Sequence, residues 1–391
     1  MKNTWFTVVV LILCFACKDK QQHTSKEAMI TTTDKGIEAN ASNINSNQFD
    51  TIIDGKPVQL YWLENAQLKM AITNYGGRIV GLYVPDKTGT LIDINIGRGS
   101  IKEYLESDEA YFGATIGRVG NRIAKGKFTL NDTVYTIPAN NNDNALHGGY
   151  KGFQDVVWQA EQLNDQSIGL SYVSPDMEEG FPGNLTVNVT YTLTDDNALK
   201  IEYDAVTDES TVVNLTNHAY FNLNGEGSGT ILNHSIQIFA DAFTPVDSGL
   251  IPTGALRPVR GTPFDFTVPH TIGERIAMDN EQLGFGGGYD HNYVLNGQQE
   301  RGMTHAAKVV GDSSGIKMDV YTKEPGIQFY CGNFMASKNV LKSGARDDVR
   351  TAFCLETQHF PDAPNQPNFP SIRLDPGETY STTSEYRFSI E

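Results

Sequence analysis

The segment Leu185 to Leu193 alternates without a break: Leu185, Val187, Val189, Tyr191 and Leu193 are apolar, and Thr186, Asn188, Thr190 and Thr192 are polar. Successive side chains of a strand point to opposite faces, so the pattern predicts a strand with one buried face. Asp195-Asp196-Asn197 then supplies turn residues. A second alternation follows, with Leu199, Ile201, Tyr203 and Ala205 facing one way and Lys200, Glu202 and Asp204 the other. Together they predict a β-hairpin. The period of two returns at Ile316 to Tyr321 and at Thr379 to Ile390. Helical periods are scarce and short, Ser100 to Glu106 being the best of them. Many strands joined by Gly, Pro, Asn and Asp turns predict an all-β fold, an antiparallel sandwich or barrel.

Three further runs place polar side chains on one face of otherwise apolar strands. In Thr211 to Leu223, Val213, Leu215, Ala219 and Phe221 oppose Asn214, Thr216, His218 and Tyr220. In Arg350 to Phe360, Phe353 and Leu355 oppose Cys354, Glu356 and Gln358. In Pro325 to Phe334, Gln328 opposes Ile327 and Phe329. A buried charge is costly unless paired, so such faces line either a wet cleft or the solvated side of a sheet. Two loops carry further candidates. Asn140 to Gly152 holds His147 before Gly148-Gly149, and Gly286 to Tyr293 holds Asp290 and His291 after a glycine run. Neither glycine-rich loop is followed by the Lys-Ser or Lys-Thr of a phosphate site, which argues against nucleotide binding.

The chain opens with a different pattern. Lys2 precedes an apolar run from Trp5 to Phe15, too short to span a bilayer and of the length of a signal-peptide core. It ends in Ala16-Cys17 and then Lys18-Asp19-Lys20, which resembles a bacterial lipoprotein signal, with Cys17 as the lipid-bearing residue after cleavage. Cys14 stands where an aliphatic residue is usual. The expected organisation is a signal peptide over residues 1–16, a flexible polar tether over 17–48 and one domain over 49–391. An exported cell-envelope protein, touching the membrane only through a lipid at Cys17, is the expectation for location.

Charge narrows the partners. Of 391 residues, 30 are Lys or Arg and 47 Asp or Glu, a formal charge of −17. Such a surface repels phosphate backbones, which argues against nucleic acid. Cys331 and Cys354 lie in apolar strand-like runs and read as two buried thiols, although an export compartment permits a disulfide. The His residues show no metal-ligand spacing, so no metal and no cofactor is expected.

Several ordered segments together resemble the galactose mutarotase (aldose 1-epimerase) family over nearly all of 49–391. They include Tyr111-Phe112-Gly113-Ala114, Gly117-Arg118 with Asn121-Arg122-Ile123-Ala124, Asn144-Ala145-Leu146-His147-Gly148-Gly149, and the run Asn214 to Leu223. Gly180-Phe181-Pro182-Gly183, Ile251-Pro252-Thr253-Gly254, Gly261 to Phe266, Tyr289-Asp290-His291, Leu355-Glu356-Thr357-Gln358 and Pro376-Gly377-Glu378 complete the set. Gly120, Met177 and Phe181 depart from the usual Ala, Gly and Tyr. The resemblance implies a large twisted antiparallel β-sandwich with a free monosaccharide in an open cleft. It implies Glu356 as general base, His218 as general acid and His147 as a helper near the ring oxygen. It implies that Asn121, Arg122, Tyr220, Asp290 and Gln328 hold the sugar hydroxyls. A glycoside hydrolase using Asp290 with Glu356, a binding module without turnover, and an epimerase of phosphorylated hexoses are the rival readings. The last would want additional Arg or Lys around the cleft.

Overall fold

The two alternating runs at 185–205 pair as the expected hairpin in the computed structural model, which describes residues 44–391. Leu185–Leu193 runs antiparallel to Ala198–Thr207, with Leu193 opposite Leu199 and Val189 opposite Tyr203. Both inward rows are buried, each large apolar side chain contributing about 1.5–3 kcal/mol on leaving water. The hairpin is the middle of a ten-stranded sheet. Its order continues from Ala198–Thr207 to Tyr380–Ile390, Ile316–Thr322, Met303–Val310 and Ser235–Ile238. Every pairing in it is antiparallel.

Two smaller antiparallel sheets face it. One has four strands, Leu60–Glu64, Lys69–Thr73, Arg78–Pro85 and Leu91–Asp93. The other has five, in the order Arg257–Pro258, Ala240–Phe243, Asp290–Leu295, Gly326–Tyr330, Cys354–Gln358. One apolar core joins all three, drawing Leu63 and Leu82 from the first, Val187, Ile201 and Tyr386 from the large sheet, and Phe329 and Leu355 from the second. The Tyr386 hydroxyl donates to the Leu355 carbonyl at 2.9 Å, so a polar atom crossing the layer interface is satisfied. This is the expected antiparallel β-sandwich.

The helix expected at Ser100 to Glu106 is present as Ile101–Leu105, with Ser100 as N-cap accepting from the Glu103 amide. Glu281–Gly286, capped by Asn280, is a second short helix that the glycines concealed. The continuous strand expected from Thr211 to Leu223 is instead broken. Thr211–Val212 pairs with Arg373–Leu374, and Thr216–Asn217 with Thr115–Ile116. Its alternation survives because the segment threads between two buried surfaces: Val213, Leu215, Ala219 and Phe221 enter the main core.

The expected signal peptide, Cys17 and most of the tether lie outside the described residues. At the other end of that tether, Ile44 is buried and Asn45 caps the short 3-10 turn Ser46–Gln48. Among the described residues no helix is long and apolar enough to cross a membrane.

Candidate active site

Three neighbouring strands of the five-stranded sheet turn a polar face toward a cavity of about 340 Å³. Asp290 opens the first strand, Gln328 lies in the second and Glu356 in the third. In register, Gln328 stands opposite Glu356. The apolar partners expected on the other face, Ile327, Phe329, Phe353 and Leu355, are all in the core. The polar faces therefore line a cleft and not the solvated side of a sheet.

His218 reaches the same cavity from the broken segment. Its amide donates to the Ala114 carbonyl, and its carbonyl accepts from the Gly113 amide. Gly113 is required there: its φ is +67°, and a Cβ would lie 2.1 Å from the Ile79 carbonyl oxygen. His218 Nε2 then lies 3.6 Å from Glu356 Oε1, with both side chains almost fully buried. The imidazole is stacked between Tyr111 and Tyr220, at ring separations of 5.7 and 4.8 Å. Cys354 Sγ lies 3.5 Å from Nδ1.

His147 comes from the Asn-rich loop. Asn140 holds that loop shut, donating to the Leu146 and Gly149 carbonyls and accepting from the Leu146 amide. His147 and Asn121 then clasp each other, since the His147 amide donates to the Asn121 carbonyl and the Asn121 amide donates to His147 Nδ1 at 3.1 Å. Both residues have left-handed backbones, φ 52° and 62°. Such conformations cost about 1–3 kcal/mol each and persist where the surroundings fix them.

Arg122 Nη1 lies 3.9 Å from Asp290 Oδ2, and Gln328 Nε2 donates to Asp290 Oδ1 at 2.7 Å. Both Asp290 oxygens are thus engaged. Gln328 is 3% exposed and joins the site through its hydrogen bond to Asp290. Asn121, Arg122, Tyr220 and Asp290 line the cavity with the two histidines and Glu356. Glu109, Asn141, Leu250, Tyr330 and Phe334 line it too and were not anticipated. Glu109, Asn141 and Leu250 come from segments that carry no alternation, and Tyr330 and Phe334 lie at the end of the run that holds Gln328. Two motif residues point elsewhere. Arg118 donates to Ser174 Oγ and to the Pro182 and Gly183 carbonyls, and His291 packs edge-on against the stacked rings of Phe243 and Phe264.

Burial sets the charge states. It pushes His218 down to about 3 and His147 well below the usual imidazole range. It pushes Glu356 well above the carboxylate range, an effect that Asp290 reinforces and Arg122 opposes. Both shifts favour the neutral form of each group, so burial disfavours the charge-separated state of the pair.

His147, His218 and Glu356 present donor atoms within 4.8 Å of one another, close enough to invite a metal ion. The tautomer of His147 argues against one. Its Nδ1 accepts from a backbone N–H, so the proton of the neutral ring sits on Nε2 and neither nitrogen has a free lone pair. Cys331 and Cys354 are both free and buried, as two separate thiols. A larger hollow of about 680 Å³, between Lys56, Tyr61, Trp158 and Asn188, contains no carboxylate, imidazole or thiol.

A buried acid–base pair in a polar cleft of a β-sandwich defines a class of enzyme that moves protons on a small polyhydroxylated substrate. The aldose 1-epimerase family model matches residues 59–387. Galactose mutarotase of Sus scrofa is 46% identical over 333 residues, covering 85% of this chain and 94% of that protein. Aldose 1-epimerase of Escherichia coli K12 is 37% identical over 341 residues, covering 86% and 97%. Among solved structures, a GalM/aldose epimerase homologue from C. elegans superposes with a TM-score of 0.78 at 30% identity, over 85% of this chain and 99% of that one. Galactose 1-epimerase from Lactobacillus acidophilus gives 0.76 at 26% identity, over 87% and 97%. The chain belongs to the aldose 1-epimerase family and is an isomerase.

Proposed function

We propose that the protein interconverts the α and β anomers of free aldohexoses such as galactose and glucose, with Glu356 as base and His218 as acid. The observation that carries this reading is the 3.6 Å approach of His218 Nε2 to Glu356 Oε1 in the cavity. In the charge-separated form of the pair, Glu356 takes the proton of the anomeric hydroxyl. The O1–H electrons form the C1 carbonyl, the bond from C1 to the ring oxygen breaks, and His218 Nε2–H protonates that oxygen. The pair is left neutral, the form that burial favours. Rotation about C1–C2 presents the other aldehyde face. The ring oxygen then attacks C1, His218 recovers its proton, and Glu356 returns one to O1. Each such transfer is worth about 10²–10⁴-fold.

The aromatic faces of Tyr111 and Tyr220 on either side of His218 favour its transient cation. The Nε2–H of His147 is a fixed donor for a sugar oxygen. Asn121, Arg122, Tyr220, Asp290 and Gln328 hold hydroxyl groups, with Gln328 also fixing Asp290. A hydrolase pairing Asp290 with Glu356 is disfavoured, because it leaves the buried approach of His218 to Glu356 without a role.

Polarimetry of freshly dissolved α-D-galactose tests the roles. The wild type speeds the approach to equilibrium rotation, and Glu356→Gln and His218→Asn each lose at least about 10²-fold of that rate. Full activity in either variant refutes its assigned role.

The short apolar run ending in Ala16-Cys17 supports export as a lipoprotein, with residues 1–16 removed and Cys17 carrying the lipid. Palmitate labelling of the full chain in a bacterial host checks it: label is expected in the wild type and absent from Cys17→Ser. Label in both, or in neither, counts against the anchor.

A further inference from the structure

One residue of the cavity has no part in the proton transfers above and bears a carboxyl group, whose pKa burial raises and the Tyr111 amide and Tyr220 hydroxyl lower. Glu109 follows the short helix Ile101–Leu105 and reaches the cavity wall beside Tyr111, Tyr220 and Tyr330. Its position is fixed locally. The Glu109 amide donates to Ser107 Oγ at 3.2 Å, and the Glu109 carboxylate Oε1 accepts from the Tyr111 amide at 3.0 Å. The Tyr220 hydroxyl lies against the same carboxylate. One oxygen is thus anchored and the group cannot swing away.

The charge around it is unbalanced. The cavity wall contains three carboxyl groups, Glu109, Asp290 and Glu356, and a single cation, Arg122. Arg122 is already committed to Asp290 and to Asn141 Oδ1. Among the described residues Glu109 takes part in no ion pair. A carboxylate held this way accepts hydrogen bonds and donates none. It suits a sugar hydroxyl or ammonium group, and it opposes a second anion at short range in a site of reduced dielectric.

We propose that Glu109 is a specificity-determining residue that restricts this site to neutral and amino sugars and excludes uronic acids and sugar phosphates. The proposal rests on the aldose 1-epimerase reading and deepens it by naming the substrate class. It accounts for the absence from the cavity wall of the additional Lys or Arg that a phosphorylated sugar would need. Discrimination comes from a repulsive element built against the wrong ligand, in addition to attraction for the right one.

The test compares D-galactose, D-galactosamine and D-galacturonate as substrates of the wild type and of Glu109→Gln, at low salt and again at high salt. Anomer exchange is followed by NMR. In the wild type, kcat/KM for galacturonate falls at least about tenfold below that for galactose, mainly through KM, and galactosamine is accepted. Salt narrows the gap, as it does for charge repulsion. In Glu109→Gln, galacturonate improves in absolute terms while galactosamine weakens. Two results overturn the proposal: a wild type that handles galacturonate as well as galactose, or a variant that loses activity on all three sugars by the same factor. Ligand-observed NMR binding of the same sugars reads the preference without turnover. Loss of turnover with preserved selectivity in binding contradicts the epimerase reading alone, whereas equal binding of galacturonate and galactose contradicts the role of Glu109.

Discussion

At the scale of single residues, the site sacrifices stability for reactivity. The Glu356 carboxyl is buried, and its Oε2 has no hydrogen-bond partner. Burial raises its pKa, so the native state binds that proton more tightly than the unfolded chain does. Between the unfolded value of about 4.3 and the raised native value, the native state holds more protons, and stability falls as pH rises. A glutamine at this position bears no such penalty. Glu356→Gln is therefore expected to be more stable than the wild type by about 1–3 kcal/mol at pH 7, with the advantage fading toward pH 4. Urea denaturation at both pH values checks this; a variant less stable at pH 7 contradicts the account of burial. The residues of this pair were legible in the sequence because each lies on the polar face of an alternating apolar run, and their roles because the motifs resemble a known family. Gln328 shares that signal and donates to Asp290 on the same polar face. Glu109 and Tyr330 escaped notice for different reasons. The first lies in a loop with no period, and the second is an aromatic residue on a run already read as apolar.

At the scale of elements, the position of the catalytic groups depends on close backbone approaches that only glycine allows. Gly148 has φ +92°, and a Cβ there would lie 2.1 Å from the Gly117 carbonyl oxygen and 2.9 Å from the Arg118 amide. This contact presses the His147 loop onto the segment that leads to Asn121. Gly148→Ala is expected to cost about 1–3 kcal/mol and to lower kcat at least about tenfold by displacing His147, while the core stays folded. Circular dichroism with steady-state rates checks it, and an unchanged rate contradicts the placement. Local pattern was sufficient for the 185–207 hairpin and for the helix after Ser100. It failed for Thr211 to Leu223, where two short strands and a set of single bridges preserve a period of two without forming one continuous ladder. Alternation there reflects burial between two layers, which a sequence does not distinguish from a strand.

At the scale of the whole molecule, the cleft exists because strands far apart in sequence become neighbours. Tyr380–Ile390 pairs with Ala198–Thr207 on one side and Ile316–Thr322 on the other. Nothing local in those runs specifies these partners. What the motifs conveyed was the family, and through it the arrangement, while alternation alone left sandwich and barrel open. The assembled cavity brings His218 from one segment and Glu356 from another into a buried acid–base pair, and this is the central claim. It is tested most directly by NMR magnetisation exchange between the anomeric protons of equilibrated D-galactose, followed across pH. Exchange is predicted to be fast and flat through neutrality. It should fall on the acid side as His218 gains a second proton near its depressed value of about 3, and on the alkaline side as Glu356 loses the only one. Exchange no faster than buffer at any pH, or exchange that survives intact in Glu356→Gln, would contradict it.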